Sequence, residues 1–271
     1  MNTYAKFKSG VLTSMKSFGL LWNNKKLLVY LGIPICLGIF TEILAYNIKI
    51  ISCSKILSFS LKENIIRILT LAQSYSWLLY VGVLSAYFLY LAILTFGNIA
   101  LTHHSAIIYK KNKIGLRQNT FESLKKIKSV LIWTACILVP IVSFYLINAR
   151  IQKTDPILMK LFYSFITFFL FASWSLITSF VIQAIALDNT NIRNAIKKSI
   201  MVIKRKFFEY VGVISWLALV VLLSATPFII LEQYVQKMYY LSIPVILVAY
   251  CFISSAYTVS KTMLYIDSKK K

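Results

Sequence analysis

Apolar residues in this chain come in long unbroken runs, not in the alternation of a half-buried strand or the narrow stripe of a soluble helix. Six runs reach the length of a membrane helix: 27–46, 77–102, 129–148, 161–187, 211–231 and 241–260. Roughly 20 apolar residues are needed to cross a bilayer as a helix, whereas barrel strands alternate over about 10. A helix also satisfies its own backbone inside lipid. The pattern therefore predicts an all-α polytopic bundle of six transmembrane helices, forming one integral membrane domain over 1–271.

Three connectors carry a helical period of their own. Tyr4, Phe7, Val11, Met15, Phe18 and Trp22 recur every three or four residues among Lys6, Lys8 and Lys16. Ile192, Ala195, Ile196, Ile200, Ile203 and Phe207 oppose Arg193, Lys197, Lys198, Lys204 and Arg205, with N-cap candidates in 188–191. Phe121, Leu124 and Ile127 repeat the theme among Lys125, Lys126 and Lys128. Each reads as a basic amphipathic helix lying in the headgroup plane ahead of an odd-numbered span. The odd spans each hold a proline, Pro34, Pro140 or Pro227, so the chain has the outline of a threefold repeat.

Composition excludes a soluble globular domain: 59% of the 271 residues are hydrophobic and only 14% charged, against about a quarter charged in ordinary soluble chains. The net charge of +22 then sets an orientation. If the N-terminus is cytoplasmic, 22 of the 30 Lys/Arg fall on the inner side and 8 on the outer. Basic connectors resist translocation, which predicts both termini inside. The four cysteines are Cys36, Cys53, Cys136 and Cys251; only Cys53 lies in a connector, so no disulfide framework is expected.

Several short motifs are familiar together. They are Phe7-Lys-Ser-Gly10 through Ser14-Met-Lys-Ser17, Lys26-Leu-Leu-Val29, Phe96-Gly-Asn-Ile-Ala100, Leu187-Asp-Asn189 and Ala195-Ile-Lys-Lys-Ser199. With them the chain resembles a family of bacterial integral membrane proteins, domain of unknown function 6159, itself distantly similar to the membrane portion of some glycerophosphodiester phosphodiesterases. Gln183 and Asp188 stand where that family's pattern has a proline and a glutamate. The resemblance implies a six-span protein of the bacterial cytoplasmic membrane and assigns no activity.

Chemistry inside a membrane needs converging ionisable or metal-binding groups, and the spans offer few. Glu42 is the only charged residue in a span, close enough to its end to snorkel to the interface. His103 and His104 point about 100° apart on a helix and have no Cys, Asp or Glu one turn away, so a zinc site is not expected. Asn98 and Gln183 are amides at matching depths, suited to hydrogen-bonding between helices or to lining a polar site. No phosphate loop, nucleophile elbow or paired carboxylates occur, which points away from an enzyme and from any cofactor.

The basic connectors are too short and too amphipathic to suggest nucleic acid. Anionic headgroups suit them better, at about 1 kcal/mol per basic residue near the surface. The expected headgroup contacts are Lys16, Lys125, Lys126, Lys197, Lys198, Lys204, Arg205 and Lys206. The functional expectation is a non-enzymatic scaffold, assembly or lipid-handling accessory, engaging membrane lipid and a membrane protein partner. The alternative is a small transporter or channel with a polar cavity built around Glu42, Asn98 and Gln183.

Overall fold

In a computed structural model, residues 2–47, 77–112, 114–154, 157–234 and 239–270 are described. Cys53 and the basic residues of 48–76 lie outside them, as does the side chain of Glu42. Every element among the described residues is helical. They are α1 (Thr3–Asn23), a 3-10 turn (Lys25–Leu28), α2 (Val29–Asn47), α3 (Trp77–Tyr109), α4 (Leu116–Leu124), α5 (Ile127–Thr154), α6 (Ile157–Thr178), α7 (Val181–Asp188), α8 (Ile192–Tyr234) and α9 (Tyr239–Asp267).

Among the described residues, three stretches are long and apolar enough to cross a membrane: Leu84–Tyr109, Phe162–Asp188 and Ile192–Ser224. A fourth is reached if α4 and the start of α5 form one broken span. Helix α2 continues through Pro34 and α5 through Pro140, as a bundle allows when neighbours cover the lost hydrogen bond.

The chain divides into two compact units. The first comprises residues 1–35, 94–129 and 177–271. Within it α1 packs on α8 and α9, and α7 packs on α8. The buried face of α1 is Gly10, Ser14, Ser17 and Leu21, whereas Tyr4, Met15 and Trp22 from its large apolar stripe are exposed. Small residues win this face because they let backbones approach, the usual logic of helix packing in membranes. Ser17 Oγ also accepts a hydrogen bond from Ser260 Oγ at 2.8 Å, tying α1 to α9.

Two local breaks shape this unit. Lys206 leaves helical geometry (φ −120°, ψ 19°) and divides α8 into a basic segment and an apolar one. Its ammonium meets Glu209 one turn on, at 2.7 Å. The other break falls at Ser179–Phe180, where the single apolar run 161–187 becomes α6 and α7. Asn189, at φ 50°, ends α7 in the left-handed conformation that asparagine tolerates better than most residues.

The second unit comprises residues 36–93 and 130–176. Its face on α6 is strongly apolar, with Phe162, Phe165, Phe168, Phe169 and Leu170 all exposed. Burial inside the protein is limited along this helix, as expected of a surface meant for lipid.

Candidate functional site

The break between α6 and α7 is tied by side chains from two other helices. Ser199 Oγ accepts from the Phe180 N–H at 3.0 Å and donates to the Ile177 carbonyl at 2.5 Å. The remaining cap is unusual: Lys261 Nζ donates to the Ser179 carbonyl at 2.9 Å. Lys261 is only 8% exposed, and its ammonium lies 4.4 Å from the centre of the Tyr257 ring. Among the described residues its ligands are one carbonyl and one aromatic face, with no carboxylate. One residue beyond the last apolar run, burial without a counter-ion pushes this lysine down to about 8.

Hydroxyl groups extend the site. Ser179 Oγ and Tyr210 Oη are 2.8 Å apart, and Tyr210 Oη and Tyr257 Oη 2.6 Å apart. Phe180, fully buried, packs on the Tyr210 ring at 5.3 Å and on the Tyr265 ring at 6.5 Å. Tyr257, Lys261 and Tyr265 follow at four-residue spacing, so α9 presents all three along one face. Tyr265 in turn donates to Asp188 at 2.9 Å, where Lys198 also meets the carboxylate at 2.5 Å and Lys269 pairs with its other oxygen.

A second polar network lies in the same unit. His103 Nδ1 is 2.7 Å from Asn119 Oδ1 and must carry the proton, because a carbonyl oxygen only accepts. Asn119 Nδ2 donates to the Ala100 carbonyl at 2.9 Å and to the Tyr30 hydroxyl at 2.8 Å. Tyr30 Oη also lies 3.0 Å from His104 Nδ1, in a hydrogen bond whose direction the His104 tautomer sets. The two histidines thus share a hydrogen-bond chain through Asn119.

The sequence-derived candidates separate. Asn98 accepts from Thr258 Oγ1 at 2.8 Å and donates to the Leu94 carbonyl of its own helix. Gln183 is buried in α7, with Oε1 unpaired among the described residues. The two amides do not bond one another. Of the basic candidates, Lys126 donates to the Ala186 carbonyl, Lys198 to Asp188 and Lys206 to Glu209. Lys125 pairs with Glu122 at an exposed position, while Lys16, Lys197, Lys204 and Arg205 are exposed. Among the described residues no group of three or more His, Cys, Asp or Glu is placed to hold a metal ion.

Lys261 is not among the sequence-derived candidates, because it lies one residue past the apolar run 241–260. The available signal was that apolar and hydroxyl residues continue past Ser260 to Ile266, so the helix stays buried around this lysine. No protein-family model matches the chain, and neither the curated proteins nor the solved structures contain a significant match.

Proposed function

We propose that this chain is a six-span bacterial membrane protein of the family it resembles, a non-enzymatic accessory in lipid handling or assembly whose basic cytoplasmic face engages anionic lipid. The observation that carries this reading is the outward face of α8 ahead of its kink. Lys197, Met201, Lys204 and Arg205 are all exposed there. Their spacing places them on one side, opposite buried Ala195, Ser199 and Val202. Mixed basic and apolar residues suit an interface where ammonium groups reach phosphates and hydrophobic side chains enter the acyl boundary.

The test is reconstitution into nanodiscs of pure phosphatidylcholine or of phosphatidylcholine with phosphatidylglycerol, followed by native mass spectrometry of retained lipid. Enrichment of phosphatidylglycerol that disappears in the Lys197→Gln, Lys204→Gln, Arg205→Gln variant is expected. Equal retention of both lipids by the wild-type protein would sink the reading.

The broken helix favours a second reading, a small transporter. Discontinuous helices whose freed backbone groups meet a buried charge recur where transporters bind ions or substrate, and Lys261 at the Ser179 carbonyl has that form. Proteoliposome flux of protons or small anions that requires the lysine would support it.

A further inference from the structure

A buried ammonium normally has a carboxylate partner, because neutral ligands do not replace its lost hydration. Among the described residues Lys261 has the Ser179 carbonyl and the Tyr257 ring and no carboxylate. Among the described residues, the acids on the packed elements are engaged elsewhere, Glu209 with Lys206, Asp188 with Lys198 and Lys269, and Asp267 with Lys270, while Lys197, Lys204 and Arg205 of α8 are exposed. Lys8 and Lys16 of α1 are exposed. The titratable groups that face it among the described residues are two phenols, Tyr257 directly and Tyr210 through the Tyr257 hydroxyl.

We propose that Lys261 is an exchangeable proton site coupled to the α6–α7 break, so that closing the break around Nζ expels the proton and loading the proton loosens the break. The ligand is the proton itself, which needs no cavity. In the open arrangement Nζ is hydrated and holds its proton as an ordinary lysine does. In the closed one the N–H bond breaks, the proton leaves to water, and a neutral amine remains that still donates to Ser179 O. The sign follows from linkage: the closed state binds the proton less tightly than the open one, so raising the pH favours closure. The effect is confined to the window between the closed-state value, about 8, and that of a hydrated lysine, about 10.4. This goes beyond the lipid-facing reading and does not rest on it; a transporter would use the same exchange for coupling.

Hydrogen–deuterium exchange of the full-length protein in nanodiscs tests it, on peptides covering 175–186 and corrected for intrinsic exchange chemistry. Protection at the break should rise by about tenfold per pH unit within that window. Lys261→Arg, charged throughout, should stay weakly protected, and Lys261→Met should stay strongly protected, both without pH dependence. Peptides covering 95–108 serve as the folding control. Flat wild-type protection across the window overturns the proposal even if neither variant folds, as does a Lys261→Arg protein that keeps the wild-type transition.

Discussion

Gly10 of α1 and Gly212 of α8 open a reciprocal backbone contact between the two helices. A Cβ added to Gly10 would lie 1.9 Å from the Glu209 carbonyl oxygen, and one added to Gly212 would lie 2.4 Å from that of Phe7. Each glycine thus makes room for the other helix's main chain, which cannot move aside as a side chain could. The crossing also fixes Glu209, the acid that receives Lys206 at the kink.

Gly10→Ala and Gly212→Ala should each destabilise the protein by about 1–3 kcal/mol, the range for overpacking a close contact. The double variant should cost less than the sum, because one helix separation relieves both clashes. Gly19→Ala on the same α1 helix meets nothing within 4 Å and should be neutral or slightly stabilising. Thermal unfolding in a fixed detergent compares the four proteins, and equal melting of the Gly10 and Gly19 variants would refute the crossing.

Asn119 accepts through Oδ1 and donates through Nδ2, which fixes the His103 tautomer. Nitrogen-detected NMR should find His103 with a protonated Nδ1. Asn119→Leu removes the partner of Tyr30, His103 and the Ala100 carbonyl together. At about 1–3 kcal/mol for each buried group left unpaired, this should be among the most damaging single changes. A wild-type His103 with an unprotonated Nδ1 would contradict the chain.

The all-α class was legible because unbroken apolar runs admit little else. The partners of the helices were not. The period-3.6 pattern marks large apolar residues such as Met15 and Trp22, yet these are exposed and the small stripe of Gly10, Ser14 and Ser17 is buried. In a chain whose lipid-facing surface is apolar, hydrophobicity no longer distinguishes inside from outside. The break at Ser179–Phe180 was hidden for a related reason: no Gly or Pro marks it, and its caps, Ser199 and Lys261, lie 20 or more positions away in sequence from one or both of the groups they serve. Histidines were considered as metal ligands, whereas the group that joins them, Asn119, lies on another helix and carries no recognisable motif.

Asp188 gathers Lys198, Lys269 and Tyr265 at the end of α7. Asp188→Asn keeps the shape and removes the charge, so Tyr265 retains an acceptor while both lysines lose their counter-ion. A loss of about 1–2 kcal/mol is expected, below the figure for a fully buried pair because both lysines are partly exposed. Adding Lys198→Met to that variant should recover part of the loss in chemical denaturation, and no recovery would mean the pair contributes nothing of its own.

The basic residues of α8 should divide into two kinds with opposite phenotypes. Lys197, Lys204 and Arg205 are exposed, so replacing them with Gln should leave the melting temperature nearly unchanged and reduce phosphatidylglycerol retention. Lys206 is different: its side chain is 14% exposed and its partner Glu209 9%. Lys206→Gln strands a buried carboxylate beside the Gly10 crossing, a change worth about 3 kcal/mol or more, while removing a charge that the protein already uses internally. It should therefore lower stability and leave lipid retention per folded molecule intact. Lys206→Gln combined with Glu209→Gln should recover most of the stability, since the stranded charge is gone. If Lys206→Gln instead matched the triple variant in lipid loss at unchanged stability, the pairing with Glu209 would have no hold on the kink.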